Sequence, residues 1–331
     1  MPDAPTPLPH EQFLNRLKRP RVVAVALVVA AIVGGVASFT DSARMLVDLV
    51  RPAKAADPRE ELARIGLPFQ ADAFVAAAGR GDDRAVKLYL DAGMKVDTPS
   101  KADGEATALV AATRGRHAEV VKRLLAAHAD LSARDAFRMS PLAQAASYGD
   151  LDLMRWMLAT NPDPALVRNA WGNAAEAGRL EALKLLAPRL VGEQPVLATR
   201  TLFDVAALDD APTHAEEGRA QVAAYLLSLG ADPRAVDDKR WTPLHHAAFH
   251  GADDVAKQLL DRGAELDARD LDGASPLWLA AGIGVMDTVR LLLDRGANAR
   301  LAAKDGTTVL GRARYNKDEQ MIALLKERGA R

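Results

Sequence analysis

The sequence predicts an all-α protein, a solenoid of about eight helix-turn-helix-loop units preceded by a single transmembrane helix. Three observations carry that prediction. Gly230, Gly263, Gly296 and Gly329 fall 33 residues apart, in the contexts LSLGAD, LDRGAE, LDRGAN and KERGAR, and a fixed period of that length marks one structural unit copied along the chain. Aromatic residues make up only 5% of the 331 while 49% are hydrophobic, which favours small-residue helix packing over an aromatic-lined sheet core. From Val22 to Phe39 the chain reads VVAVALVVAAIVGGVASF, 18 residues without a charge; as a helix they span roughly 27 Å, close to a bilayer core.

Composition removes several classes of function. Lys+Arg 43 against Asp+Glu 44 leaves a net charge of -1, so the broad basic surface of a dedicated nucleic-acid binder is missing and no nucleic-acid partner is expected. Cysteine is absent, which excludes thiolate catalysis, disulfide scaffolding, cysteine zinc sites and iron–sulfur clusters together.

Residues 1–21 read as a cytoplasmic tail, 22–39 as the transmembrane helix in contact with the lipid bilayer, 40–65 as a tether and 66–331 as the repeat domain. Arg16, Lys18, Arg19 and Arg21 lie just ahead of the apolar run, whereas the stretch after it mixes Asp41, Arg44, Asp48, Arg51, Lys54 and Asp57. That bias favours a cytoplasmic N-terminus. The repeat domain is then extracytoplasmic, and periplasmic for a chain whose Ala and Arg content looks bacterial. A cleaved signal peptide is the alternative, with Gly35 and Ala37 before the cut and a released binder as product. Against it, the head beginning MPDAPTPLPH is longer and more Pro-rich than signal peptides carry. In the tether, SARMLVDLVR keeps helical spacing until two prolines in RPAKAADPRE break it.

Within the repeats, VAAYLLSL, VAKQLLDR and TVRLLLDR precede the periodic glycines with helical apolar spacing. TPLHHAAFHG at Thr242 and SPLWLAAGIG at Ser275 stand ahead of the last two, and Gly218, Gly251 and Gly284 lie twelve residues before Gly230, Gly263 and Gly296. These residues resemble the ankyrin repeat, whose Asp-Gly-x-Thr-Pro-Leu-His, Ala-Ala-x-x-Gly and Leu-Leu-x-x-Gly-Ala-Asp pattern is nearly spelled out from Asp238 to Asp270. With the turn glycine as register, units centre on Gly81, Gly115, Gly149, Gly178, Gly218, Gly251, Gly284 and Lys317.

Each signature residue has a physical task. Thr242 or Ser275 before Pro caps a helix, its hydroxyl accepting an orphan backbone N–H while Pro fits the first turn. Ala pairs such as 145/146 and 247/248 let helices approach, and Leu pairs such as 259/260 and 291/292 fill the space between neighbours. A Gly after the second helix supplies a left-handed residue that releases the chain into the loop.

Departures from the pattern are informative. Unit four is short, its turn glycines Gly149 and Gly178 only 29 residues apart, and its second loop reads APRLVGEQP. Unit five carries extra residues in DDAPTHAEEG from Asp209, expected to leave the stack as a polar surface loop between its helices. Units two and three place His128 and Asn161 where the second Gly belongs, and unit eight reads Thr308-Val309-Leu310 for Thr-Pro-Leu. Lys317, Asp318, Glu319, Lys326, Glu327 and Arg328 fit its role as a terminal cap facing water.

Little in the chain resembles chemistry. His246 and His250 are four apart, as zinc ligands on a helix are, with His245 beside them. No HExxH glutamate accompanies them, and in the ankyrin pattern the histidine at 245 hydrogen-bonds locally and ties adjacent loops together. The acid pairs Asp209/Asp210, Asp237/Asp238 and Asp253/Asp254 fall in loops or at helix starts, where negative charge suits the helix dipole. GRGDD at Gly79 lacks the Lys-Ser/Thr of a phosphate-binding loop. No cofactor, metal site or catalytic residue is expected, a metal enzyme built on the histidines being the remote alternative.

The resemblance implies a protein-binding scaffold that uses a concave face of loop tips and first helices. Aligned with the ankyrin pattern, exposed positions on that face are Phe137, Met139 and Tyr148 in unit three, Asp238, Lys239, Trp241, Phe249 and His250 in unit six, and Leu271, Asp272 and Ile283 in unit seven. Large apolar residues there read as anchors for a protein partner. Trp241 and Phe137 read equally as packing between hairpins. Trp156, Trp171 and Trp278 fall on helical positions and are assigned to the core.

Overall fold

A computed structural model describes residues 57–208 and 213–330, with backbone alone over 213–217. The predicted membrane segment, 22–39, lies outside the described residues, as do the tail before it and the tether as far as 56. Among the described residues no helix is long and apolar enough to cross a membrane. The chain divides after Glu61 into two units, the second being Leu62–Arg331. Ahead of that point Asp57 opens α1 (Pro58–Arg64), its carboxylate accepting the Arg59 N–H at 3.0 Å.

Among the described residues the second unit contains eight helix pairs: α2 (Ala71–Arg80) with α3 (Asp83–Asp91), α4 (Ala108–Arg114) with α5 (Ala118–Ala126), α6 (Pro141–Tyr148) with α7 (Leu151–Ala159), and α8 (Pro164–Glu176) with α9 (Leu180–Leu186). Then come α10 (Gln194–Ala206) with α11 (Thr213–Ser228), α12 (Pro243–His250) with α13 (Asp253–Asp261), α14 (Pro276–Ile283) with α15 (Met286–Asp294), and α16 (Val309–Tyr315) with α17 (Glu319–Glu327). No strand occurs among the described residues, only the isolated bridges Ser100–Ala106 and Ala302–Thr308. First helices pack on first helices from α2 to α16, and second helices on second helices from α3 to α15, giving two layers.

Local chemistry explains where the helices start and stop. Hydroxyls of Thr107, Ser140, Thr242, Ser275 and Thr308 accept the N–H three residues on at the head of α4, α6, α12, α14 and α16, a cap worth about 1 kcal/mol each. Pro141, Pro243 and Pro276 occupy the first turn behind three of these caps, as the sequence predicts. Gly230, Gly263, Gly296 and Gly329 are all left-handed, with φ between 84° and 91°. His128 and Asn161 adopt the same conformation at φ 61° and 54°. The turn therefore survives loss of its glycine, at the steric cost L residues bear there.

The core is one continuous cluster running from Leu62 to Ala330. The Ala pairs of first helices at 77/78, 111/112, 145/146, 174/175 and 247/248 are buried, and Leu124, Leu186, Leu226, Leu259, Leu292 and Leu325 fill the second layer. Trp171 is buried as assigned and donates its Nε1–H to Thr201 Oγ1 at 3.0 Å. Trp156 and Trp278 are corrected to half-buried positions: Lys122 Nζ sits 4.1 Å over the first ring and the Arg312 guanidinium 4.4 Å over the second. An indole whose one face meets a cation at the surface needs no full burial.

Unit five also departs from expectation. Gly218 is not the turn between its helices but lies inside α11, which begins at Thr213. Residues 213–217 extend the second helix instead of forming a loop, while 209–212 lie outside the described residues. The physical reason is composition, since HAEEGRAQ is made largely of strong helix formers. Glycine is still required at 218, for space and not for conformation: a Cβ there would stand 2.7 Å from the Gly178 carbonyl oxygen. Gly218→Ala is expected to lower unfolding stability by about 1–3 kcal/mol through that backbone clash, outweighing the about 1 kcal/mol that Ala gains in a helix. Urea denaturation checks this, and a variant more stable than the parent would show that the two backbones separate freely.

Candidate functional site

The hairpins that join the units are built on buried or half-buried aspartates. Asp237 Oδ1 accepts the N–H groups of Lys239 and Trp241 at 2.9 and 2.8 Å, and its Oδ2 meets His246 Nε2 at 3.0 Å. Asp270 repeats the arrangement with the N–H groups of Asp272 and Ala274, its Oδ2 accepting Trp241 Nε1–H at 2.9 Å. Asp135 does the same for Phe137 and Met139, with Gln144 Nε2 on its second oxygen at 2.7 Å. Neighbouring hairpins are bonded too, Leu271 N–H to the Lys239 carbonyl at 3.1 Å and Lys304 N–H to that of Asp272 at 2.8 Å. The tips are thereby a rigid edge, on which side chains are presented at little entropic cost.

His245 is the buried member of this edge. Its Nδ1 accepts the Thr242 N–H at 3.0 Å and its Nε2–H donates to the Ala274 carbonyl of the next hairpin at 3.3 Å. Burial holds its pKa below the ordinary histidine value, so the ring is neutral and structural. His246 turns to Asp237, and the His250 ring stands edge-on to Phe249 with centroids 5.1 Å apart. The three histidines thus point to three different neighbours. Among the described residues no group of three or more His, Asp or Glu is placed to hold a metal. The acid pairs have local partners as well: Asp253 accepts the Thr288 hydroxyl, with burial raising its pKa, and Asp254 pairs with Lys257 at 2.8 Å. Asp238 is an exposed hairpin residue, and Asp209 and Asp210 lie outside the described residues.

The residues aligned as partner-binding sort into two kinds. Phe137, Leu271, Ile283 and Tyr148 are open to solvent at 81%, 51%, 51% and 40%, and Asp238, Lys239 and Asp272 are exposed with them. Met139, Trp241, Phe249 and His250 are half-buried instead. Trp241 packs between hairpins: it stacks on His245 with centroids 6.3 Å apart, meets His246 at 5.0 Å and Phe249 at 5.4 Å, and bonds Asp270. Phe137 has no such enclosure. The aromatic patch runs on to Phe203 of α10, whose ring meets His246 edge-on at 5.7 Å.

Sequence reasoning missed Phe203, whose ring joins this aromatic patch from the irregular units four and five. The missing cue was register: those units lack the Thr-Pro-Leu-His landmark from which exposed positions were counted. On the other layer, a cavity of about 480 Å³ between the starts of α13 and α15 and the body of α11 is lined by Arg219, Asp253, Lys257, Met286 and Thr288, and includes none of the aligned residues.

Two layers of paired helices with a bonded hairpin edge define a solenoid of the interaction-scaffold class. The family model for ankyrin repeats in three copies matches residues 73–168 and 172–270, and that for a single ankyrin repeat matches 272–306. The chain belongs to the ankyrin-repeat family, whose members are typically non-catalytic protein-interaction scaffolds. No curated protein matches it.

Proposed function

We propose that the chain is a single-pass membrane protein whose ankyrin stack, 66–331, captures a protein partner and carries out no catalysis of its own. The observation that carries this reading is the set of large apolar side chains held open along one edge and the first-helix ends, Phe137, Leu271, Ile283 and Tyr148. A stack whose core is already filled by Ala and Leu has no packing use for them, whereas such anchors dominate interface energies. Small residues in the first-helix layer against leucines in the second favour tighter spacing on the hairpin side, which curves a stack toward that face.

Localisation rests on the N-terminal sequence. The uncharged run 22–39 supports an anchor, the basic residues before it a cytoplasmic tail 1–21, and 40–65 a tether to an extracytoplasmic stack, periplasmic in a bacterial cell. Placing a photo-crosslinking amino acid at Phe137 or Leu271, and separately at Arg155 or Asp261 on second helices, tests the face. Adducts confined to the first pair are the expected outcome, and adducts confined to the second would move the binding surface to the other layer. An enzyme reporter active only outside the cytoplasm, fused after Arg331, tests the orientation: activity in intact cells is expected, and signal from a cytoplasm-only reporter would reverse it.

A further inference from the structure

Among the described residues three arginines are drawn in from the surface: Arg123, Arg219 and Arg312. Arg123 is paired with Asp83 at 2.6 Å, and Arg219 donates to the Leu208 carbonyl at 3.2 Å. Arg312, half-buried on α16, has neither a side-chain hydrogen bond nor an ion pair. Its guanidinium is held in place all the same. Cζ lies 4.4 Å over the Trp278 ring, and that indole is itself fixed, donating Nε1–H to the Thr307 carbonyl at 3.0 Å. Along one edge the group lies against α14 at Gly282, where a Cβ would stand 3.0 Å from Nε and 3.1 Å from Nη2. Unit six has Phe249 at the corresponding place, 33 residues earlier. Glycine in unit seven leaves the room that the guanidinium takes.

Nε is enclosed and meets no acceptor, while the terminal nitrogens reach solvent. The acid of the adjoining hairpin, Asp305, is already engaged, accepting the Thr307 N–H and the Thr307 hydroxyl at 2.8 Å each. The Gly282 carbonyl is engaged as well, by Asn316 Nδ2 at 2.7 Å. A planar cation fixed between an indole and a helix backbone has lost most of its rotamer freedom before a ligand arrives, so its outer fork is preorganised for an oxyanion. Apolar side chains stand beside it. Ile283 follows Gly282 directly and is 51% exposed, and Tyr315, one turn after Arg312 on α16, is 80% exposed.

Resting on the binding face proposed above, we infer that the partner is a polypeptide segment carrying an aspartate or glutamate next to an apolar residue, its carboxylate bonding the outer nitrogens of Arg312 and its apolar side chain lying on Ile283 and Tyr315. The guanidinium supplies selectivity for that segment and the exposed apolar anchors supply area. A random twelve-residue peptide library displayed on phage, panned on the full chain held in mild detergent, tests it. The native chain should select peptides with one fixed Asp or Glu next to an apolar residue. Arg312→Gln should weaken a selected peptide by about tenfold or more, the loss expected for a hydrogen bond to a charged group. Gly282→Ala should weaken it too, because the new Cβ takes the guanidinium's place while the charge remains. Its circular dichroism should stay helical, since the Cβ meets only the end of a flexible side chain and Ala is the better helix former. Peptides lacking a fixed acid, or undiminished by either variant, would overturn the inference. If those peptides are still lost with Leu271→Asp or Phe137→Asp, the binding face itself stands; peptides indifferent to both sets of variants would overturn the face as well.

Discussion

Replacing His245 by alanine is expected to lower the unfolding free energy by about 2–5 kcal/mol, from a lost buried side chain and two stranded backbone groups. The ring is 0% exposed and bridges the Thr242 N–H at the head of α12 to the Ala274 carbonyl of the next hairpin. Its removal uncouples two units at once. Single domains have about 5–15 kcal/mol in total, so units six to eight should open first, visible as early hydrogen exchange in α12–α17. A variant with unchanged exchange there would sink the tie between units.

The same residue sets a pH dependence with a defined sign. Burial lowers the His245 pKa, so the unfolded chain binds the extra proton. Its contribution is complete above the ordinary histidine value of about 6.5 and is lost as pH falls from there toward the depressed folded value, by at most about 1.4 kcal/mol per pH unit. Glu176, Asp204 and Asp253, all raised, act oppositely as the solution becomes acid. The diagnostic quantity is therefore the difference in urea midpoint between native protein and His245→Ala, measured at pH 7.5 and 5.5. It should narrow at the lower pH, and a gap that widens would mean the ring is charged in the fold.

The second large effect separates anchors from packing. Leu271→Asp with Ile283→Asp should weaken partner capture by about 30-fold or more, the loss expected on removing interface hot spots of about 2 kcal/mol or greater. Both side chains are half open to solvent, so the thermal midpoint should stay within the range of ordinary surface substitutions, about 0.5 kcal/mol. Trp241→Glu should behave the other way. It breaks the bond to Asp270 and inserts a charge among His245, His246 and Phe249, so stability falls together with capture. Equal destabilisation by both sets would show that Leu271 and Ile283 are packing residues too.

The chain's own periodicity determined most of the fold. A 33-residue recurrence of Gly, a Thr/Ser-Pro start and an Ala-Ala, Leu-Leu alternation each state a local requirement, and the observed caps at Ser140, Thr242 and Ser275 and left-handed glycines meet them residue by residue. Local rules were legible because they depend on neighbours within one turn of chain. Three features depended instead on residues distant in sequence. Gly218 was readable as a turn by spacing, but only the approach of Gly178 shows that it is needed for space inside a helix. Trp241 was readable as anchor or packing, and Asp270, 29 residues on, decided for packing. Glu176 and Asp204 carried no motif at all; that burial raises both pKa values emerges only when the irregular units four and five are stacked. The sequence alone determined the repeat, its caps and its turns, because these are satisfied within a unit, whereas which side chains stay open or unpartnered was decided by the stacking of units, which brings distant residues into contact.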